Sequence, residues 1–166
     1  MKNIEGKFIM LIDDDPGMLR ALSKVLRGEG ALVKCADWAG DGFEILGKRE
    51  QQYDLVITDL RMPFMNGLSV IQAIHEVFPA LPVMVLTAFG DAKVREACLR
   101  EGAVAFLEKP LNSHELVAAV REALGVGIPA TTSTPVPTEN LVREKHPPAT
   151  RPRTAPSSKK FKLNKD

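Results

Sequence analysis

Long hydrophobic runs are missing from this sequence. The longest apolar stretches are about five residues, far short of the ~20 that a membrane helix needs, and Met1-Lys2-Asn3 does not open a signal peptide. These two absences are read as a soluble, cytoplasmic protein with no membrane insertion. Cysteine is scarce, Cys35 and Cys98 alone, and the pair fits no metal spacing such as CxxC. Both are expected as plain buried or half-buried thiols, because an unpaired cysteine behaves as a small hydrophobe. An excess of one charge is absent too. With 22 Lys and Arg against 21 Asp and Glu, the net charge is +1, which argues against a duplex-coating protein and against a polyacidic solvating chain.

What is present is enough chain for one domain with its own core and no need of a metal or disulfide staple. The charge balance is the average of two unlike parts. Residues 1–127 hold 14 basic and 18 acidic side chains, net −4, whereas 128–166 hold 8 basic and 3 acidic, net +5, with seven of the twelve prolines. Segments such as Thr131-Thr132-Ser133-Thr134-Pro135 and Ser157-Ser158-Lys159-Lys160 cannot bury enough to order themselves, so 128–166 is expected to be a disordered basic tail. Such a tail can hold an acidic partner loosely, but its few aromatics offer no stacking platform, and no specific nucleic acid binding is expected.

Before the tail, short β-prone runs recur at Phe8 to Ile12, Ala31 to Val33, Leu55 to Ile57, Val83 to Leu86 and Ala103 to Leu107. Between them apolar residues take helical spacing, as in Met18, Leu22, Val25 and Leu26, and in Leu116, Val120, Ala123 and Leu124. The punctuation agrees. Asp15-Pro16 is a helix cap followed by proline at the first helical position, Asn112 with Glu115 makes a capping box, and Gly125 can end the last helix. Gly40-Asp41-Gly42 is read as turn chemistry before a helix, and Trp38 as a packing residue. Alternating strands and helices give an α/β fold, a doubly wound five-stranded parallel sheet with helices on both faces. Ligands then bind at the carboxyl ends of the strands.

The strand ends carry polar chemistry. The first strand runs into Asp13-Asp14-Asp15, the third into Asp59, the fourth ends in Thr87, and the fifth is followed by Glu108-Lys109-Pro110. If the first and third strands are neighbours, Asp13, Asp14 and Asp59 share a pocket in which they repel unless a cation enters. Hard oxygen donors with room for water suit magnesium. Asp15 alone is a helix cap. A carboxylate to attack, a metal and an ammonium to neutralise charge, and a hydroxyl to hold a phosphoryl oxygen are together what phosphoryl transfer needs.

The segments Phe8-Ile9-Met10-Leu11-Ile12-Asp13-Asp14-Asp15-Pro16, Val56-Ile57-Thr58-Asp59-Leu60-Arg61-Met62-Pro63 with Asn66-Gly67, Leu86-Thr87-Ala88 and Leu107-Glu108-Lys109-Pro110 resemble the receiver domain of bacterial response regulators, CheY-like in fold. The resemblance covers residues 6–125 and implies strand order 2-1-3-4-5. It implies that a sensor histidine kinase or phosphotransfer protein passes a phosphoryl group to Asp59. Asp14 would ligate Mg2+ directly, Asp13 through water, and the backbone carbonyl of Arg61 would be another ligand alongside Asp59. Lys109 would pair with the phosphorylated aspartate, and Thr87 would swing toward its oxygens. Phe106 stands where the family has its rotating aromatic switch, and Ala88 leaves space for phosphoryl entry. A cis peptide is implied before Pro110. Arg61 and Phe89 occupy variable positions that modulate phosphate lifetime, and both are large enough to shield the acyl phosphate. The downstream target would dock on the face of the fourth helix, fifth strand and fifth helix, near Ala92, Arg95, Ala103 and Phe106.

Two other readings fit less well. A haloacid-dehalogenase-type phosphohydrolase would take its nucleophile after the first strand, but Asp13-Asp14-Asp15-Pro16-Gly17 has glycine where DxDx(T/V) needs its last residue. A dinucleotide-binding domain needs a glycine-rich turn there, where this chain has three carboxylates. His75, His114 and His146 are scattered, as surface or capping residues are. With no second module expected after Gly125, the chain is read as a single-domain regulator that works through proteins. It would switch and dephosphorylate itself rather than turn over a substrate.

Overall fold

β1 (Phe8–Ile12) is the strand on which the rest is assembled, and its neighbours are β2 (Leu32–Ala36) and β3 (Leu55–Thr58), both parallel to it. This computed structural model describes residues 4–48, 52–63 and 65–126. β6 (Val83–Thr87) pairs with β3, and β7 (Ala105–Glu108) pairs with β6, giving one parallel sheet in the order β2-β1-β3-β6-β7. Counted along the sheet strands alone, that is the order 2-1-3-4-5. Two short strands, β4 (Arg61–Met62) and β5 (Met65–Asn66), form a separate antiparallel ribbon just beyond β3.

Among the described residues there are five helices, α1 (Pro16–Gly28), α2 (Ala39–Gly47), α3 (Gly67–Val77), α4 (Ala92–Arg100) and α5 (Ser113–Ala123). Alternation along the strands feeds two cores, as period-two side chains require. Ile9, Leu11, Ile57, Met84 and Leu86 pack with Leu22 and Leu26 of α1 and Leu116 and Val120 of α5. Met10, Ile12, Val56, Val83 and Val85 pack with Leu46 of α2, Ile71 and Ile74 of α3 and Cys98 of α4. Burial on both faces explains why these strands are nearly continuous apolar runs.

The caps are where the sequence puts them. Asp15 caps α1 by accepting from the N–H groups of Gly17 and Met18, with Pro16 at the first helical position. Asn112 and Glu115 form the reciprocal capping box of α5, and Gly125 follows it at φ +64°. Other details differ from the sequence reading. β2 begins at Leu32, since the Ala31 N–H bonds back to Leu26 in the turn closing α1, and it runs on through Lys34 and Cys35 to Ala36. β7 begins at Ala105, because Ala103 is bonded to Cys98 and finishes α4. The buried line of α1 is Leu19, Leu22, Ser23 and Leu26, with Met18 and Val25 only half-buried. Gly40-Asp41-Gly42 lies inside α2 rather than in a turn. A Cβ on Gly42 would come within 2.7 Å of Ile12, and one on Gly40 within 2.1 Å of the Trp38 indole. Gly42 therefore answers to close packing against buried Ile12, whereas the Gly40 contact is with the far end of a half-exposed side chain. Trp38 itself is 50% exposed, and Cys35 lies exposed on the edge strand, whereas Cys98 is buried. The expected tail, 128–166, falls outside the described residues.

Candidate functional site

The site is assembled at the carboxyl ends of β1, β3, β6 and β7. Asp13 follows β1 and Asp59 follows β3; the Asp59 N–H donates to the Ile12 carbonyl at 2.9 Å, so the two strand ends are locked side by side. Asp13 and Asp59 are buried, at 3% and 7% exposure, and Asp14 between them in sequence is exposed. One carboxylate oxygen from each of Asp13, Asp14 and Asp59 lies within 4.8 Å of the others.

Lys109 enters this cluster from the end of β7. Its Nζ lies 2.6 Å from Asp13 Oδ2 and 2.9 Å from Asp59 Oδ2, and all three side chains are at most 11% exposed. The peptide between Lys109 and Pro110 is cis, and the Lys109 N–H donates to the Thr87 carbonyl at 2.8 Å. The other Asp59 oxygen accepts from the backbone N–H groups of Leu60 at 2.5 Å and Arg61 at 3.2 Å. Asp13 Oδ1 accepts the Asp15 N–H at 2.9 Å.

These contacts decide the charge states. Burial pushes the Asp59 carboxyl up, but hydrogen bonds from Lys109, Thr87 and the Arg61 backbone outweigh it and hold the group below the ordinary carboxylate range. Burial pushes Lys109 down, yet its bonds to Asp13 and Asp59 leave it above the usual lysine value. Near neutral pH the site is therefore an ionised aspartate against an ammonium. A carboxylate cluster of this kind suits a hard cation that keeps part of its water. The donor set fits magnesium, with Asp13, Asp14 and Asp59 as the side chains able to hold it.

Thr87 is fully buried at the end of β6, its hydroxyl turned to Asp59 and accepting the Phe89 N–H at 3.2 Å. Ala88 next to it is exposed. Arg61 and Phe89, which flank the two halves of the site, meet each other: the guanidinium carbon lies 4.0 Å from the centre of the half-exposed Phe89 ring. Phe106 is buried on β7. Of the four residues expected near the docking face, Ala92 and Arg95 are exposed, while Ala103 and Phe106 are not. His75 bonds to the Glu101 carbonyl, linking α3 to the end of α4, and His114 is exposed on α5.

Some site features were not read from the sequence. Gly67 is one, since a Cβ there would lie 2.4 Å from the Leu60 Cα, beside the N–H that holds Asp59. Its signal in the sequence is the Asn66-Gly67 pair. Arg95, bonded to Phe106, and the stacking of Arg61 on Phe89 had no local signal. A cavity of about 930 Å3 between α1 and α2 contains none of Asp13, Asp59, Thr87 and Lys109. The chemistry sits elsewhere, at the carboxyl ends of the strands, where Asp13, Asp59 and Thr87 are buried and Asp14 is exposed.

A family profile described as "Response regulator receiver domain" matches residues 9–121. Among curated proteins, "Transcriptional regulatory protein GlrR" of Escherichia coli (strain K12) is 38% identical over 123 residues, which are 74% of this chain and 27% of GlrR. "Transcriptional regulatory protein ZraR" of the same organism is 35% identical over 116 residues, 70% of this chain and 26% of ZraR. The chain thus spans about a quarter of the length of these relatives. Among solved structures, a response regulator receiver domain protein from Clostridium thermocellum has a TM-score of 0.67 at 29% identity, covering 72% of this chain and 94% of that one. A CheY-like receiver domain protein from Methanospirillum hungatei JF-1 has a TM-score of 0.68 at 26% identity, covering 73% of this chain and 95% of that one. The profile spans nearly all of the sheet and its helices, and the chain belongs to the response regulator receiver domain family.

Proposed function

We propose that this chain is a phospho-accepting switch of a two-component phosphorelay, acting in the cytoplasm with Asp59 as the acceptor. The observation that carries the reading is the buried Asp59 carboxylate held 2.9 Å from Lys109 Nζ, with carboxylate oxygens of Asp13 and Asp14 close by. One oxygen of Asp59 attacks the phosphorus of a kinase phosphohistidine. The new O–P bond forms as the P–N bond breaks, and the imidazole leaves with the electron pair. Backbone N–H groups of Leu60 and Arg61 orient the carboxylate during this displacement. Lys109 offsets the charge gained on the acceptor, and the Thr87 hydroxyl takes a phosphoryl oxygen. Asp14 and Asp59 would hold Mg2+ directly with the Arg61 carbonyl, and Asp13 through water. When bound, the ion supplies neutralising charge for the phosphoryl oxygens.

Phosphorylation adds charge and strong acceptors to a closed site, and the proposed output is a shift in population on the α4, β7 and α5 face, with Thr87 and Phe106 as the moving parts. The stacked Arg61 and Phe89 form a lid against water, so the phosphorylated state is expected to be long-lived. A downstream protein is the proposed target; among the described residues, all five helices belong to the receiver itself. The GlrR and ZraR matches favour a second reading, in which the same module is the input end of a longer transcriptional regulator.

The test is the intact mass of the chain after incubation with acetyl phosphate, and with a histidine-kinase phosphodonor, in the presence and absence of magnesium. A magnesium-dependent gain of one phosphoryl group, lost in Asp59→Asn, is the expected result. An adduct that survives Asp59→Asn and maps to Asp13 would overturn it in favour of a phosphohydrolase.

A further inference from the structure

Phe106 has its ring turned into the core on the α4 side of the sheet. The tip of the ring rests on Gly90, where a Cβ would lie 2.7 Å from Cε1 and Cζ. The loop between β6 and α4 thus closes the ring on one side. That loop also carries Phe89, whose N–H holds the Thr87 hydroxyl that faces Asp59. A second contact comes from Arg95 on α4. Its Nη2 donates to the Phe106 carbonyl at 2.9 Å, and its guanidinium carbon lies 5.4 Å from the centre of the Phe106 ring. One side chain grips both the backbone and the ring of the same residue. Phenylalanine has no hydroxyl, so no hydrogen bond of its own fixes where the ring lies. Packing against Gly90 and the cation over the ring must do so instead.

We infer that Arg95 is a positioning residue for phosphoryl transfer: it holds Phe106 inward against Gly90, and through the β6–α4 loop keeps Thr87 turned toward Asp59. The inference rests on the receiver reading above and adds to it a residue on which the family motifs are silent. Arg95 touches no reacting atom. Its influence runs through a ring, a glycine contact and one backbone hydrogen bond, each of which can be cut separately. Lysine at this position keeps the cation but loses the planar fork that reaches ring and carbonyl at once, so Arg95→Lys is expected to fall between the parent and Arg95→Ala.

The experiment uses the full chain with ring-labelled phenylalanine. Among seven phenylalanines, the Phe106 signal is the one lost in Phe106→Leu. In Arg95→Ala that signal is expected to shift and broaden more than the other ring signals. The rate of magnesium-dependent phosphorylation on Asp59 is expected to fall about three- to tenfold, the loss of one cation–π contact and one hydrogen bond. In the Phe106→Leu background the same arginine change is expected to alter the rate less than about twofold, since the two residues act as one unit. A Phe106 signal unmoved by Arg95→Ala, or equal rate effects in the two backgrounds, would overturn the inference. Absence of any adduct on Asp59 in the parent chain with either acetyl phosphate or a histidine-kinase phosphodonor overturns the phospho-acceptor reading instead, and the ring signal then decides by itself whether Arg95 holds Phe106.

Discussion

Lys109 is the residue on which the site's electrostatics turn, because it is the cation against two buried carboxylates. Removing one partner of a buried ion pair leaves the other charge uncompensated, a cost of about 3 kcal/mol or more. Lys109→Ala is therefore expected to lower the unfolding free energy of the metal-free chain at pH 7 by that order, measured by urea titration, with magnesium restoring part of it. The pH dependence follows from the two shifted groups. Asp59 is held below its ordinary value, so its contribution is complete above about pH 3.9 and is lost as pH falls through the lower folded value. Lys109 is held above its ordinary value, so its contribution is complete below about pH 10.4 and is lost as pH rises through the higher folded value. Between these limits the parent is flat with respect to this pair. Without Lys109, burial is opposed only by the Thr87 and Arg61 hydrogen bonds, so Asp59 lies higher than in the parent, and the gap between variant and parent should narrow as the pH falls into the acid range. A gap independent of pH would show that the ammonium does not hold the carboxylates.

At the scale of elements, Asp15 separates two roles that three consecutive aspartates could share. Its side chain is spent on the N–H groups of Gly17 and Met18 at the head of α1, and only its backbone N–H reaches Asp13. Asp15→Ala should cost about 1 kcal/mol, the usual value of a helix cap, while phosphorylation with acetyl phosphate stays near the parent rate. Asp15→Ser should recover most of the stability. A loss of phosphorylation as large as that of Asp14→Ala would instead make Asp15 part of the metal site. Caps of this sort are legible because donor and acceptor are two or three residues apart. The same holds for Asn112 and Glu115. Alternation and the handedness of crossovers give a doubly wound parallel sheet, while its order 2-1-3-4-5 comes only with the family resemblance. The legible part ends where distant segments meet. β2 runs on through Lys34 and Cys35 because an edge strand exposes side chains that need not be apolar, so an apolar run finds only its first part. Gly40 and Gly42 look like turn residues until the Trp38 indole and Ile12 are seen to occupy the space their side chains would take. The contacts of Arg61 with Phe89 and of Arg95 with Phe106 join separate elements; no periodicity encodes them.

For the whole molecule, the question is which part of the 166 residues the switch requires. The two cores draw on every helix from α1 to α5, the last of which ends at Ala123, and the Val126 N–H still bonds back to Arg121. All of the site residues lie within 13–109. The segment from 128 onward contributes a charge of +5 to a remainder of −4, and its composition gives it little apolar surface to bury. A chain ending at Val126 is therefore expected to unfold at the same urea concentration as the full chain and to accept phosphate at the same rate. Its attraction to acidic surfaces should differ, because near-surface cations act over a Debye length and are screened by salt. Binding of the full chain to an acidic partner should weaken as salt rises, and the shortened chain should lack that salt-sensitive part. If truncation instead lowered the unfolding midpoint or changed phosphorylation at Asp59, the basic segment would be a working part of the receiver, and the boundary proposed near residue 125 would have to move toward the C-terminus.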